Sequence, residues 1–277
     1  MIKNNKIQQK EIIINNLRIS YCERYSKKNN DDINSIKKIT LFLHGWGSNK
    51  ESFTRLFSLK ENFISLDFPA FGKSSKLKKS YTLQDYSDFL HTFLEKVAVN
   101  RNKNIHIEFV VHSFGGRVLL KYLENKSKNI YINNLNIQNI VCIGVPFYRN
   151  LTKIQKLQIK FSEFLNKNKY TKYFKQAISP IFTKLFNNKD SDYLALSDNI
   201  MKKTFQNIVN EDVSIYLDNF KKYEENLTLI WGEKDESAPL YYAKNVHEKY
   251  PKSKLFIIKN AGHFPWIDNI EEFKKFL

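Results

Sequence analysis

The chain has 277 residues, 42% of them hydrophobic, and its 45 Lys and Arg against 28 Asp and Glu give a formal net charge of +17 at pH 7. This length and apolar content suit one large domain with an insertion. The positive charge suggests nucleic acid as a binding partner. No nucleic-acid-binding module is present in the sequence, so we expect no nucleic-acid binding. The two cysteines give no disulfide framework, and the N-terminus lacks an apolar signal segment. The sequence therefore predicts a cytoplasmic, soluble protein.

Strand and helix patterns alternate along most of the chain. Short apolar runs bounded by turn signals predict strands at 11–16, 17–25, 104–113, 137–147, 226–235 and 253–263, and strands that run into glycine-containing turns at 37–47 and 62–72. Apolar residues at three- and four-residue spacing predict helices at 48–57 (with Ser48 as its N-cap), 82–97, 115–126, 239–250 and 267–277. This alternation predicts an α/β fold with an open, mostly parallel sheet and helices on both faces. Ligands of such sheets bind beyond the carboxyl ends of the strands.

Residues 147–222 interrupt the alternation. The stretch is helical in its spacing and free of glycine, and 147–189 carries ten basic residues and one acid. We interpret it as a helical cap inserted over the crevice, between a first core segment at 1–146 and a second at 223–277. Its aromatic side chains either simply pack the cap together or also line an apolar pocket. Its basic face could attract an anionic head group or touch an anionic membrane surface.

The chain contains only 8 glycines, and all of them lie at or beside the ends of predicted strands. Glycine adopts positive φ without a steric penalty and lets other groups approach its backbone closely. In a chain so poor in glycine, we expect these positions to mark the constrained turns of the fold.

The stretch VVHSFGG at 110–116 places Ser113 between a predicted strand and a predicted helix. A nucleophile elbow has this position and the pattern Gly-x-Ser-x-Gly, but Val111 stands where the first glycine belongs. A serine that only caps the helix would fit the same stretch.

A nucleophilic serine needs a general base, and the base needs an acid that orients it. Of the six histidines, His263 alone lies in a turn directly after a strand of the second core segment, at the same edge of the sheet as Ser113. We predict it as the base. For the acid we favour Asp235 over its neighbours Glu233 and Glu236. Asp235 ends the predicted strand at 226–235, which precedes the strand that leads to His263.

Backbone N–H groups must stabilise the oxyanion that forms during acyl transfer. Phe114 N–H is one candidate, and the turn His44-Gly45-Trp46-Gly47 supplies the other at Trp46. His44 is interpreted as an organiser of that turn. No group of residues has the spacing of metal ligands, and no glycine-rich phosphate loop is present.

Taken together, these stretches resemble the α/β-hydrolase superfamily, in its cap-bearing branch of serine esterases and related hydrolases. The resemblance covers residues 37–277 and rests on five motifs in order: HGWGSN from 44, DFPAFGKSS from 67, VVHSFGG from 110, LIWGEKD from 229 and NAGHF from 260. The chain order of Ser113, Asp235 and His263 is also that of the family.

The resemblance implies an eight-stranded, mostly parallel sheet with a helical cap after the sixth strand, a Ser-His-Asp triad, an oxyanion hole at Trp46 and Phe114, and no cofactor. A serine nucleophile argues against the dehalogenases and epoxide hydrolases of the family, which use aspartate there. Val111 departs from the pattern because its side chain is larger than the glycine expected there. A small displacement of the following helix could make room for it.

The leading hypothesis is hydrolysis of an ester or similar acyl bond through an acyl-serine intermediate, on a small or medium apolar acyl substrate. Two alternatives stay open. Cap-bearing relatives include carbon–carbon bond hydrolases that use the same triad on diketone-type substrates. A non-catalytic binding member of the fold is the other; it would lack a triad residue, and Val111 is the one feature in its favour. The sequence does not give the oligomeric state.

Overall fold

The computed structural model describes residues 6–26, 38–99, 105–130, 135–148 and 198–277. Eight strands form one sheet: β1 (Gln8–Ile14), β2 (Leu17–Arg24), β3 (Lys38–Leu43), β4 (Phe63–Leu66), β5 (His106–His112), β6 (Asn136–Ile143), β7 (Leu227–Gly232) and β8 (Lys254–Ile258). The order across the sheet is β1-β2-β4-β3-β5-β6-β7-β8. This confirms the predicted eight-stranded α/β sheet.

The sheet is antiparallel at one edge and parallel elsewhere. Strand β2 pairs antiparallel with β1 and β4, and every pair from β4 to β8 is parallel. The β1–β2 hairpin turns through Asn15 and Asn16, whose φ angles are 50° and 62°. Asparagine tolerates this region and is favoured in tight two-residue hairpins. Because β3 and β5 to β8 run in the same direction, their carboxyl ends lie together along one edge of the sheet.

Within the described ranges, six α-helices accompany the strands: α1 (Leu83–Leu94), α2 (Phe114–Ser127), α3 (Asn199–Asn210), α4 (Tyr241–Lys249), α5 (Pro265–Asp268) and α6 (Ile270–Phe273). The described residues also form 3-10 helices at Lys50–Leu59, Val213–Asn226 and Lys274–Phe276, and a π-helical turn at Glu95–Val99. None of the helices in these ranges combines the length and the apolar character needed to cross a bilayer.

The core lies on both faces of the sheet. Because successive strand side chains alternate in direction, Val110 and Val111 of β5 belong to different hydrophobic clusters. The cluster around Val111 includes the buried faces of α1, α2 and α4. The cluster around Val110 includes Phe53 of the first 3-10 helix and Trp266 of α5. The predicted coverage of both faces is confirmed.

The helix after β3 differs from the sequence prediction. It is a 3-10 helix that starts at Lys50, and its N-cap is Asn49, whose side chain accepts a hydrogen bond from the Glu51 N–H. The predicted cap, Ser48, instead donates its N–H to the Gly45 carbonyl at 3.2 Å and so belongs to the preceding turn.

In the strand-to-turn unit predicted at 62–72, the strand ends at Leu66, and the buried Asp67 organises the turn that follows. Its carboxylate accepts hydrogen bonds from the N–H groups of Lys50 at 2.6 Å and Lys73 at 2.9 Å. The Lys50 ammonium, also fully buried, pairs with it at 2.9 Å. Two buried opposite charges that satisfy each other in this way hold the β4 loop against the start of the 3-10 helix.

Much of the predicted cap, residues 149–197, lies outside the described residues. The domain boundaries at 146 and 222 stay predictions. Of the described part, Val213–Asn226 packs on α2, and its residues Val213, Leu217 and Phe220 are buried in the main core.

Helix α3 is anchored to the core at two points. Arg117, on α2, donates to the carbonyls of Pro146 at 2.8 Å and Ile208 at 2.9 Å. On the other side, Thr204 Oγ1 accepts a hydrogen bond from the Tyr81 N–H at 3.0 Å. These bonds fix α3 close to the carboxyl ends of the central strands.

Candidate active site

Ser113 occupies a sharp turn between β5 and α2. Its φ and ψ are 48° and −112°, a region that costs a non-glycine residue roughly 1–3 kcal/mol. Its N–H donates to the Ile143 carbonyl at 3.0 Å, and its side chain makes no capping hydrogen bond to α2. Ser113 therefore stands at the N-cap position of α2 without a side-chain capping bond, and the strained turn has the form of a nucleophile elbow.

The elbow depends on close packing at the start of α2. A β-carbon on Gly115 would overlap the Leu43 carbonyl of β3, and one on Gly116 would overlap the side chain of Val145. The first turn of α2 is thus pressed between the ends of β3 and β6. This explains why positions 115 and 116 are both glycine even in a chain with so few glycines.

Val111, the departure from the elbow pattern, is fully buried in the main core. It pairs across the sheet with Leu43 on one side and Cys142 on the other. The valine thus fills core volume below the elbow.

We expect Val111→Gly to leave the labelling of Ser113 by a fluorophosphonate intact, with kcat unchanged or modestly raised. It should lower the free energy of unfolding by about 2–4 kcal/mol, because it removes a buried isopropyl group and adds a flexible residue to a strand. Val111→Ala should lose less. Urea denaturation and timed labelling measure the two effects, and a large loss of labelling in a folded Val111→Gly would show that the valine serves the chemistry.

Asp235 and His263 face each other from the ends of β7 and β8. The carboxylate oxygens of Asp235 lie 2.8 and 3.0 Å from His263 Nδ1, and Asp235 is buried. A carboxylate can only accept, so Nδ1 carries the proton and Nε2 keeps a free lone pair. The two rival acids, Glu233 and Glu236, are exposed, and Glu233 instead accepts the N–H of Asn260 at 3.0 Å.

Gly144, after β6, lies directly against the Asp235–His263 pair. Its φ is 53°, and a β-carbon there would sit 3.0 Å from both Asp235 Oδ2 and His263 Nδ1. Sequence reasoning marked Gly144 only as a turn. Its position between the two side chains could not be inferred without the register of β6 and β7.

Gly144→Ala should lower kcat about tenfold, because the added methyl group displaces the carboxylate or the imidazole by a few tenths of an ångström. Gly47→Ala is the matched control: its φ is 69°, and nothing lies within 4 Å of its β-carbon position. Both variants should lose about 1 kcal/mol of stability from the positive φ. Equal kcat in the two variants would contradict the expectation.

The three candidate triad residues gather at one edge of the sheet. The Ser113 N–H donates a hydrogen bond to the carbonyl of Ile143, the last residue of β6. Gly144, which follows Ile143, lies against Asp235 and His263. No hydrogen bond joins the Ser113 hydroxyl to His263, although the structure describes both residues. Such catalytic bonds often tighten only in the substrate complex.

The N–H groups of Trp46 and Phe114 have no hydrogen-bond acceptor in the part of the chain that the structure describes. The rings of these two residues meet edge to face at 5.6 Å, which joins the β3 turn to the start of α2. The two candidate oxyanion donors thus lie on neighbouring segments and are free to bind negative charge.

His44 organises the turn before Trp46, as predicted. It is buried, its Nδ1–H donates to the Gly45 carbonyl at 2.7 Å, and its Nε2 accepts the Phe68 N–H at 3.0 Å. Burial lowers the pKa of His44 to about 4, so the ring stays neutral and both bonds persist at neutral pH.

Aromatic rings surround the candidate oxyanion site. Trp46 contacts Phe71 at 4.9 Å and Phe205 of α3 at 5.1 Å between ring centroids. On the other side, Phe114 contacts Tyr86 at 5.0 Å. The described end of the predicted cap region thus lies over the Trp46 turn and gives it an apolar surface. In the described ranges, no three His, Cys, Asp or Glu side chains are grouped so that they could hold a metal ion.

Comparisons with known proteins agree with this architecture. The family model for the alpha/beta hydrolase fold matches residues 40–270. Lipase 1 of Psychrobacter immobilis is 23% identical over 244 residues, which cover 84% of this chain and 73% of the lipase. The hydrolase YugF of Bacillus subtilis (strain 168) is 25% identical over 238 residues, which cover 80% of this chain and 81% of its own.

The solved structure of lip1 from Acinetobacter baumannii AYE superimposes with a TM-score of 0.62 at 17% identity. The match covers 97% of this chain and 89% of that one. At such low identity the superposition bears on the fold alone. The family match and the named relatives support a hydrolase of this fold.

Proposed function

Because the chain belongs to the α/β-hydrolase fold family, we propose that it is a serine hydrolase that cleaves an ester or similar acyl bond through an acyl-serine intermediate. One observation carries the proposal. His263 Nδ1 is held by the buried Asp235 at 2.8 Å, at the sheet edge where Ser113 occupies a strained elbow. A base oriented by a buried acid beside a half-buried serine hydroxyl is the arrangement that acyl transfer requires.

In the proposed mechanism, Ser113 Oγ attacks the acyl carbonyl carbon while His263 Nε2 takes the hydroxyl proton. Asp235 stabilises the imidazolium that forms. The N–H groups of Trp46 and Phe114 bind the developing oxyanion. The bond to the leaving alcohol then breaks, and His263 gives its proton to that oxygen.

A water molecule completes the cycle. Its oxygen attacks the acyl-serine carbonyl, its proton passes to His263, and the acid product leaves as the proton returns to Ser113 Oγ. No other group needs to supply protons or electrons.

We propose that the substrate is a small molecule with an apolar acyl group of small or medium size. The aromatic side chains of Trp46, Phe71 and Phe205 around the candidate oxyanion site support an apolar acyl group. A relative named Lipase 1 is in keeping with ester cleavage.

The test is labelling of Ser113 by a fluorophosphonate, together with a panel of p-nitrophenyl esters of rising acyl length. We expect labelling of the wild type and none of Ser113→Ala, with ester turnover lost in the same variant. Equal labelling of the two proteins, or no labelling of the wild type, would refute the proposal. A diketone substrate in the same panel distinguishes a carbon–carbon bond hydrolase, which would turn over the diketone in preference to every ester.

A further inference from the structure

His112 precedes the candidate nucleophile and ends β5, and its side chain packs against the loop that carries the candidate base. Its Nε2–H donates to the main-chain carbonyl of His263 at 3.0 Å. The two imidazole rings lie 4.5 Å apart between centroids, and Phe264 and Trp266 each contact the His112 ring at 4.8 Å. Sequence reasoning treated this side chain only as pointing away from Ser113.

The other edge of the His112 ring faces the turn that precedes Trp46. A β-carbon on Gly45 would lie 2.7 Å from His112 Nδ1 and 3.1 Å from its Cε1. The ring therefore occupies the space that a side chain at Gly45 would need. It fills the gap between the turn of the candidate oxyanion donor and the loop of the candidate base.

The hydrogen bond of His112 has one fixed direction. The carbonyl of His263 can only accept, so the proton resides on Nε2 and Nδ1 is bare. The ring is buried, and burial together with the nearby His263 ring holds the pKa of His112 well below its usual range. The neutral tautomer that donates to His263 is thus retained at neutral pH.

Hydrogen bonds hold the residues on either side of His263: the Lys234 N–H donates to the Ala261 carbonyl and the Ile267 N–H to the Phe264 carbonyl, each at 2.8 Å. Fewer contacts hold His263 itself. The imidazole is held by Asp235, and the Gly262 N–H donates to Asp268 Oδ2 at 2.7 Å. Across the described residues, His112 is the only side chain that hydrogen-bonds the main chain of His263. Removing that donor would leave a carbonyl without its partner at the residue whose placement matters most.

We propose that His112 is a positioning residue, whose Nε2–H fixes the position of the His263 loop relative to the Trp46 turn. The inference rests on the proposed function for its effect on catalysis. His112 lies at the end of β5, next to Ser113, and contacts both the His263 loop and the Trp46 turn. It would therefore keep the nucleophile, the base and the oxyanion donor at fixed distances from one another. Catalytic groups need placement of this kind because small displacements cost large factors in rate.

Three substitutions of His112 separate the effect of its Nε2–H donor from the effect of the packing of its ring. His112→Phe keeps an aromatic ring without a donor. His112→Gln places an amide N–H about where Nε2–H lies, and the shorter His112→Asn places it near Nδ1, out of reach of His263. His106→Phe, at the first residue of β5, is the matched control because it makes the same exchange at the far end of the strand.

The readouts are kcat and KM with p-nitrophenyl butyrate, and hydrogen exchange of the peptide 259–268 by mass spectrometry. We expect His112→Phe and His112→Asn to lower kcat about three- to tenfold at nearly constant KM, as loss of one buried hydrogen bond allows. Exchange in the peptide should quicken by a similar factor. His112→Gln should recover most of both, and His106→Phe should match the wild type.

Wild-type kcat and exchange in both His112→Phe and His112→Asn would overturn the inference. So would a His112→Gln variant as impaired as His112→Phe, since packing and not the donor would then matter. If the wild type hydrolyses no ester while the exchange pattern holds, the proposed function fails and the positioning of the loop stands. If His112→Phe does not fold, the comparison of His112→Asn with His112→Gln decides the question.

Discussion

Ser113→Gly is expected to abolish ester hydrolysis and at the same time to raise the free energy of unfolding by about 1 kcal/mol. The φ of 48° at Ser113 is unfavourable for any residue with a β-carbon, and glycine adopts it without strain. The relief should outweigh the greater freedom of glycine in the unfolded chain. Loss of the nucleophile should lower kcat at least about 10⁴-fold.

Ser113→Ala is the control that separates the two effects. It removes the hydroxyl and keeps the β-carbon, so activity should fall equally while stability stays within about 0.5 kcal/mol of the wild type. Urea denaturation of the three proteins gives the comparison. If the glycine variant is no more stable than the alanine variant, the elbow is unstrained, and the reading of Ser113 as a residue kept there for chemistry loses its support.

The alternation of strands and helices predicted from sequence where the candidate site lies in the sheet. Parallel strands end at the same edge, so motifs that follow β5, β7 and β8 had to converge there. Asp235 and His263, 28 positions apart, accordingly meet within hydrogen-bonding distance. Among the three carboxylates after β7, burial decides between Asp235 and its exposed neighbours.

Other features depend on packing between distant segments and were not predictable. Asp67 organises the turn after β4 because Lys50, 17 positions away, brings both an N–H and an ammonium to its carboxylate. His112 reaches the His263 loop across 151 positions. Periodicity states which way a side chain leaves its own strand, but the partner it meets is set by how loops from other strands fold over that edge.

Asp235→Asn is expected to lower kcat on the order of 10⁴-fold with little change in KM. Asp235 Oδ1 also accepts the Ala238 N–H at 2.8 Å, so an asparagine there would keep its oxygen on that bond and turn its NH₂ toward His263. Nδ1 of His263 would then have to accept, which shifts the ring proton to Nε2. An imidazole in that tautomer cannot take the proton of Ser113.

Glu236→Gln supplies the matched control, because it neutralises an exposed carboxylate one residue away. It should retain kcat within about twofold, since exposed charges interact weakly with buried groups. Steady-state kinetics on both variants, with urea denaturation to verify folding, measure the difference. A folded Asp235→Asn protein that keeps more than about a tenth of wild-type kcat would contradict the tautomer argument, and an equal loss in Glu236→Gln would point to charge near the site in place of the specific Asp235–His263 bond.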